Sequence, residues 1–394
     1  MTPSLPWLLL ALPAALPLGI TALNLLTWPR GSRGGARHPG DPDAPGARVS
    51  VLIPARNEEA TIGAAVQSVF DSGFPLFEVV VFNDASTDRT GAILADLQAR
   101  HPRLRVVDGT GLPPGWVGKP HACHRLSQEA RGDVFVYLDA DVTVHPGGLQ
   151  RLWALATGGG VPGRAPDLVT AVPQQVMGTF AERLLMPVLH LTYTAWLPLL
   201  LIPLASDPRF LAANGQVLLV GREALARVGG WQSVRHEIVD DMAICRRVKE
   251  SGGKVVFADG HRLASCRMYT SGAELWAGFS KNLYEGIGGH PLGLLAVVLL
   301  YTTCFVLPFV ALPVAAALGA AAWTTAAGVG VALNLLTRTL LALRHGHGIA
   351  AVLLHPLAIL GLLGIAVNSA LWSRKGAIQW AGRTYAARAQ RSAP

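Results

Sequence analysis

Two kinds of apolar run alternate along the chain. Short ones, closed by polar turn residues, read as buried strands: Val49-Ser-Val-Leu-Ile-Pro-Ala55, Glu78-Val-Val-Val-Phe-Asn83 and Val134-Phe-Val-Tyr-Leu138. Helical stretches separate them. Strands alternating with helices imply a parallel sheet whose ligands sit at the carboxyl ends of the strands, and Pro54, Asp84 and Asp139 all fall at such ends. The long runs read differently. Residues 5–28 carry no charge and exceed the roughly 20 residues that a spanning helix needs. Residues 291–337 are also uncharged and are broken by Pro308 and Pro313, which predicts two spanning helices joined by a tight turn, with Arg338 and Arg344 back on the first side. Residues 349–372 precede Arg374, Lys375, Arg383, Arg388 and Arg391; a full crossing would put that basic tail outside, so a re-entrant or interfacial segment bent at His355-Pro356 is expected. A fourth run, 184–205, contains Pro187, Pro198 and Pro203. Crossing there would separate Asp139 and Asp141 from Asp240 and Asp241, so it is expected in the membrane interface, with a buried helix of the soluble domain as the alternative.

Composition agrees with a membrane protein. Of the 394 residues 51% are hydrophobic and 15% charged, against about a quarter charged in soluble proteins. Nothing basic precedes the first run, whereas Arg30, Arg33 and Arg37 follow it, which predicts a cytosolic catalytic domain and an outside N-terminus. The absence of a basic leader and the prolines in the run argue against a cleaved signal peptide. The net charge of +8 is scattered, without a nucleic-acid recognition pattern, and suits anionic lipid headgroups and a nucleotide sugar instead. Cys123, Cys245, Cys266 and Cys304 have no ligand spacing, and His121-Ala-Cys-His124 lies on one helix where its side chains cannot converge on an ion. The expected organisation is an anchor at 1–30, a Gly/Pro/Arg-rich linker at 31–47, a catalytic domain at 48–290, a transmembrane or re-entrant bundle at 291–372 and a basic tail at 373–394.

The candidate chemistry begins at Asp139-Ala-Asp141. Carboxylates two residues apart on an extended strand end point to the same side. They form a hard-oxygen clamp for a divalent cation, Mg²⁺ or Mn²⁺, able to bridge the phosphates of a nucleotide sugar. Downstream, Gly229-Gly-Trp231 precedes Asp240-Asp241, an acidic pair opening an amphipathic helix. In this order, strand-Pro-Ala-Arg-Asn-Glu, Asn-Asp-x-Ser-x-Asp, Asp-x-Asp, Gly-Gly-Trp and acidic pair, the chain resembles the family 2 glycosyltransferases over residues 48–285. The resemblance implies an α/β GT-A fold, the Rossmann-like mixed sheet of nucleotide-diphospho-sugar transferases, here with N-terminal and C-terminal transmembrane helices. It also carries Pro54, Ala55 and Glu58 to the nucleoside pocket and Asp84 to the base. Lys119 goes to the phosphates, Asp139 to the nucleotide sugar, and Asp139 with Asp141 to the metal. Asp241 becomes the catalytic base with Asp240 in support, although the family commonly has Glu at the first of these positions. Each has a plainer reading: Glu58 as a helix N-terminal acid, Asp84 as a turn former, Lys119 as a solvated cation, the acidic pair as a helix cap.

The Gln-x-x-Arg-Trp of processive synthases is absent. In its place stands Arg267-Met-Tyr-Thr-Ser-Gly-Ala-Glu-Leu-Trp-Ala-Gly-Phe-Ser-Lys281, in which Ser271 and Glu274 predict a capping box and Leu275, Phe279 and Leu283 one apolar face. Such a helix is expected to lie on the membrane and feed the site, with Trp231, Arg267, Trp276 and Lys281 on the acceptor route. This segment, Gly118-Lys-Pro-His-Ala-Cys123, His355-Pro356 and the terminal Gln379-Trp-Ala-Gly-Arg-Thr-Tyr385 are similar to the membrane glucosyltransferases of bacterial carotenoid synthesis, and more distantly to ceramide and hopanoid glucosyltransferases. The resemblance implies a multi-pass enzyme of the bacterial inner membrane that transfers one hexose, glucose from UDP-glucose, with inversion to a membrane lipid. A carotenoid or polyisoprenoid hydroxyl is the favoured acceptor; a sphingolipid, hopanoid or glycerolipid is the alternative. A non-catalytic transport or assembly protein is the rival of another class, and the complete acidic set opposes it.

Overall fold

The computed structural model describes residues 4–31, 47–375, 378–380 and 383–385. Most of the expected linker, with Arg33 and Arg37, and the tail residues Arg388 and Arg391 lie outside the described residues. The chain divides into two compact units. A sheet unit comprises Trp28–Val176, Leu200–Met268 and Gln379–Pro394; a helical unit comprises Met1–Thr27, Met177–Leu199 and Tyr269–Ile378.

The sheet unit is built on eight strands: β1 (Val49–Ala55), β2 (Glu78–Asn83), β3 (Leu104–Asp108), β4 (Val134–Leu138), β5 (Val142–Val144), β6 (Leu168–Gln175), β7 (Val217–Gly221) and β8 (Val255–Cys266). Their order is β3-β2-β1-β4-β7-β6-β8-β5. β1 pairs in parallel with β2 and β4, and β2 with β3. β7 runs antiparallel to β4 and β6, so the sheet is mixed. Near-continuous Val, Leu and Ile in β1 and β2 suit strands covered on both faces, and all of β2 is buried. The covering helices show why the intervening sequence folds as it does. In helix Ile62–Asp71, Ile62, Ala65, Val66 and Val69 are buried, the spacing that makes one apolar stripe. Asp84 and Asp139 follow β2 and β4 at adjacent carboxyl ends flanking β1, the place where chain connections diverge to either side and leave a crevice.

Among the described residues the helical unit has four helices long and apolar enough to cross a membrane: Trp7–Thr27, Pro291–Ala317, Ala321–His345 and His355–Lys375. The expected pair within 291–337 is present, its turn falling between Ala317 and Ala321. In the run at 349–372 the bend falls beside the expected His355-Pro356. The run bends at Leu354, between helix Ile349–Leu353 and helix His355–Lys375, but beyond the bend the helix is continuous for 21 residues, because Pro356 at its first turn forfeits no intrahelical bond. Arg338 is displaced from its expected place on the flank. It lies inside Ala321–His345 and is 1% exposed. Its guanidinium donates to the carbonyls of Ala351 (3.3 and 3.2 Å) and Pro187 (3.0 Å); Ala351 lies in the last turn of helix Ile349–Leu353, where carbonyls lack intrahelical partners. Asn334 acts similarly: Pro308 has no N–H for the carbonyl of Cys304 four residues earlier, and Asn334 Nδ2 donates to that oxygen at 2.9 Å.

The run at 184–205 divides. Helix Phe180–Thr194, opened by a capping box between Thr179 and Glu182, groups with the helical unit. There Asn24 donates to the carbonyls of Thr194 and Leu197 and accepts from the N–H of Leu199. Leu201–Leu204 stays with the sheet unit. Helix Gly272–Gly286, which the sequence placed in the catalytic domain, belongs to the helical unit. Its capping is half as expected: Ser271 Oγ accepts from the N–H of Glu274, while the Glu274 carboxylate takes the N–H and hydroxyl of Thr270.

Candidate active site

The site grows out of loops at one end of the sheet. After β1 and β2 the chain turns through left-handed conformations at Asn57 (φ 55°) and Ala85 (φ 50°), rare for residues with a Cβ. The two loops hold each other in these shapes. Asn57 N–H donates to Ser86 Oγ (3.0 Å), Thr87 N–H to Asn57 Oδ1 (2.8 Å), Glu58 N–H to Thr90 Oγ1 (2.8 Å) and Glu59 N–H to Asp88 Oδ2 (3.1 Å). Much of the polar sequence after these strands therefore builds the platform itself. Glu58 keeps its carboxylate near the site, accepting from Thr61 Oγ1 at 2.9 Å. Burial, then Asp141 and Asp139, push it up to about 7.

Asp139 follows β4, with its N–H fixed on the carbonyl of Gln216 (3.1 Å). Lys119, at the start of helix Gly118–Glu129, reaches Asp139 Oδ1 at 2.5 Å and the carbonyl of Gly215 at 3.4 Å. Asp240 and Asp241 open helix Asp240–Glu250. A Cβ on Gly215 would sit 3.1 Å from Lys119 Nζ, 3.2 Å from Asp241 Cβ and 3.5 Å from Asp241 Oδ2, so this glycine lets the lysine and the acidic pair converge. The turn Asn214-Gly215-Gln216 is pinned from behind: Asn214 N–H donates to Thr170 Oγ1 and Gln216 N–H to Asn214 Oδ1. An Asn-Gly dipeptide between apolar runs is a legible turn signal, but its place against Lys119 is not.

The electrostatics are unbalanced. Asp139, Asp141, Asp240 and Asp241 gather around Lys119, with Glu58 close to Asp141 and Asp139. Burial, and then the Asp139 charge, push Asp141 up to about 6. Burial likewise raises Asp240 to about 6, with Asp241 and Asp139 adding to the shift and Lys119 opposing it. Asp241 is raised by burial and Asp139, again against Lys119. Burial alone would lower Lys119, but Asp139 and Asp240 hold it above the usual lysine range. Asp141 Oδ1 and Asp240 Oδ2 are buried without a hydrogen-bond partner. An acceptor-only oxygen in that condition fits a cation. Among the described residues no three His, Cys, Asp or Glu side chains form a metal-binding group; Mg²⁺ sites in general use one or two carboxylates plus substrate phosphates.

The remaining expected residues are dispersed. Pro54 and Ala55 end β1, where the Ala55 carbonyl accepts the N–H of Asp84 at 2.8 Å. Trp231, expected on the acceptor route, lies in the core instead. It is 2% exposed and packs edge-on to Tyr137 at 5.2 Å, because Gly229 (φ 78°) and Gly230 (φ 61°) turn the chain inward before it. Arg267 is exposed on the sheet unit, whereas Trp276 and Lys281 lie on helix Gly272–Gly286 of the helical unit. His121 and His124 pack on Trp116, at ring separations of 5.6 and 5.0 Å. Sequence reasoning gave Arg383 no role. It lies in the strand pair β9 (Ile378–Trp380) and β10 (Arg383–Tyr385) and forms a bidentate pair with Asp84.

Residues 50–162 match the family described as Glycosyl transferase family 2. A 4,4'-diaponeurosporenoate glycosyltransferase of Staphylococcus aureus strain MRSA252 is 29% identical over 262 residues, 64% of this chain and 65% of the relative. Its counterpart from strain USA300 is 26% identical over 351 residues, 86% of this chain and 88% of the relative. Among solved structures, a mannosyltransferase from Pyrobaculum calidifontis in complex with GDP-Man and Mn²⁺ shares the fold. Its TM-score is 0.55 at 18% identity, over 95% of this chain and 100% of that one. Fold and family match together support a glycosyltransferase with a GT-A-like mixed sheet. Within that class the chain resembles the diaponeurosporenoate glycosyltransferases of S. aureus.

Proposed function

We propose that this protein is an inverting, non-processive glycosyltransferase that moves one glucose from UDP-glucose to a hydroxyl of a membrane-dissolved carotenoid or related polyisoprenoid. The observation that carries this reading is the convergence of Asp241 and Lys119 on Gly215 beside Asp139. It sets a proton acceptor next to the groups suited to a leaving diphosphate. In the transfer, the acceptor oxygen bonds to the anomeric carbon as the bond from that carbon to the diphosphate breaks, and the hydroxyl proton passes to an Asp241 carboxylate oxygen. Burial and then the Asp139 charge raise the proton affinity of Asp241, and Asp240 lies buried beside it. Lys119 binds the phosphates as a point charge. Asp139 and Asp141 would hold a divalent ion, which supplies charge neutralisation of the leaving diphosphate when bound.

The acceptor class follows from two supports. The S. aureus relatives are named for a carotenoid-type substrate, and the helical unit offers apolar helices of spanning length. The name of those relatives denotes a carboxylate, which needs no base, since a carboxyl group near pKa 4 is already ionised. An acidic pair placed to take a proton favours a hydroxyl. A catalytic unit on the cytosolic face of the bacterial inner membrane follows from Arg30 after the first apolar helix. The test is UDP release from UDP-glucose by purified protein given a carotenoid-containing lipid extract, followed by mild alkali. A glycosidic product survives the treatment; sugar freed from the lipid identifies an ester and removes the hydroxyl assignment.

A further inference from the structure

Asp84 is the carboxylate assigned to the nucleotide base, and the structure already gives it a partner 299 positions away. Arg383 Nη1 donates to Asp84 Oδ2 at 2.5 Å and Nη2 to Oδ1 at 3.1 Å. The side chains are 16% and 2% exposed, so this is a shielded ion pair. The nearby cation Arg56 is committed elsewhere, donating to the backbone carbonyls of Asp84 and Ala85. His121 is held toward its neutral form by burial, against the pull of Asp84.

We propose that Arg383 is a donor-positioning residue, which holds the Asp84 carboxylate aimed as an acceptor for the imide N–H of a pyrimidine base. This rests on the nucleotide-sugar reading of the site. A carboxylate has about four lone-pair positions, and a bidentate arginine takes two, leaving one on each oxygen for the base. The alternative is a latch that the nucleotide must displace. That fails on charge, because a neutral imide edge cannot replace a cation at a buried carboxylate, and breaking such a pair leaves the charge uncompensated. The planar guanidinium also offers a face on which a base can stack.

The test uses the full-length protein in detergent micelles, with UDP, GDP, CDP and dTDP as binding probes and UDP-glucose as substrate. R383A should weaken UDP binding and raise KM for UDP-glucose by about tenfold or more, with kcat within about threefold of the parent, the split expected when binding is lost and the chemical step is kept. R383K should recover only part, since lysine cannot reproduce a bidentate fork. The double variant D84N/R383A should bind UDP no more weakly than D84N alone, as expected of residues acting as one unit. R383Q serves the same comparison if the alanine variant does not purify folded. UDP binding in R383A equal to the parent's overturns the proposal, and tighter binding replaces it with the latch. A parent that binds none of the four nucleotides overturns the donor reading and this inference with it; a parent that binds UDP beside an unaffected R383A overturns this inference alone.

Discussion

The two units treat buried polar groups in opposite ways. In the helical unit, Arg338, Asn334 and Asn24 each bond backbone groups that a proline or a helix end has released, the carbonyls of Ala351, Cys304 and Thr194 among them. In the sheet unit, Asp141 and Asp240 each keep a buried oxygen with no partner, and Asp139, Asp141, Asp240 and Asp241 crowd Lys119. Satisfied burial is architecture, because an unpaired group in an apolar setting costs more than a hydrogen bond returns. Unsatisfied burial marks a place prepared for something else. The helical unit also has buried polar atoms without a partner: both ring nitrogens of His355, which is 0% exposed, and the amide oxygens of Asn282 and Asn334.

The largest test of the contrast is chemical. D141A should abolish nearly all turnover while leaving the melting temperature of the sheet unit close to the parent's, and EDTA should inhibit the unaltered enzyme in the same way; full activity in EDTA removes the metal from the reading. D241N should lower kcat by roughly 10² to 10⁴, the usual contribution of a positioned base, with little change in donor affinity. Because burial raises Asp241, the parent's rate should fall as pH drops through that raised pKa, and a flat profile between pH 4 and 8 argues against the base.

Stability should report the same crowding with a definite sign. Asp141 and Asp240 near 6 and Glu58 near 7 lie above their unfolded values. The folded state then holds more protons than the unfolded one between about pH 4 and 7, and the stability these groups contribute at low pH is lost as pH rises through that window. Melting curves of metal-free protein should show this slope, and D141N should flatten it. An identical slope in D141N would show that the crowding stores no repulsion.

Smaller effects are expected where groups are satisfied. R338M should cost about 1–3 kcal/mol by leaving the carbonyls of Pro187 and Ala351 unpaired, and N334A about 1 kcal/mol, with UDP affinity unchanged in both. G215A should be milder still in stability. It should nonetheless lower kcat about tenfold by pressing on Lys119 and Asp241, since small displacements at a reacting centre are costly.

Sequence reading reached the parts of the site whose signal is local. Asp84, Asp139 and the pair Asp240-Asp241 each stand at the end of a strand or the start of a helix that periodicity reveals. The parallel half of the sheet was legible for the same reason. What stayed hidden depends on distant neighbours. Trp231 was expected on the acceptor route, but two left-handed glycines turn it into the core against Tyr137. Arg338 looked like a membrane-flanking charge, since hydropathy counts a cation without knowing which carbonyls await it. The meeting of Lys119 with Asp241 at Gly215, and of Arg383 with Asp84, joins segments that no local pattern relates.

The pairing of Arg383 with Asp84 also constrains how the chain is threaded through a bilayer. Both residues must lie on the same side, so the chain between them crosses an even number of times. Among the described residues three helices of spanning length intervene: Pro291–Ala317, Ala321–His345 and His355–Lys375. Three is odd, and a compensating crossing by helix Phe180–Thr194 would strand Asp139 across the membrane from Asp240. An odd number of the three, one or all, therefore does not cross, and a re-entrant or interfacial segment at 349–372 is one way to meet that parity.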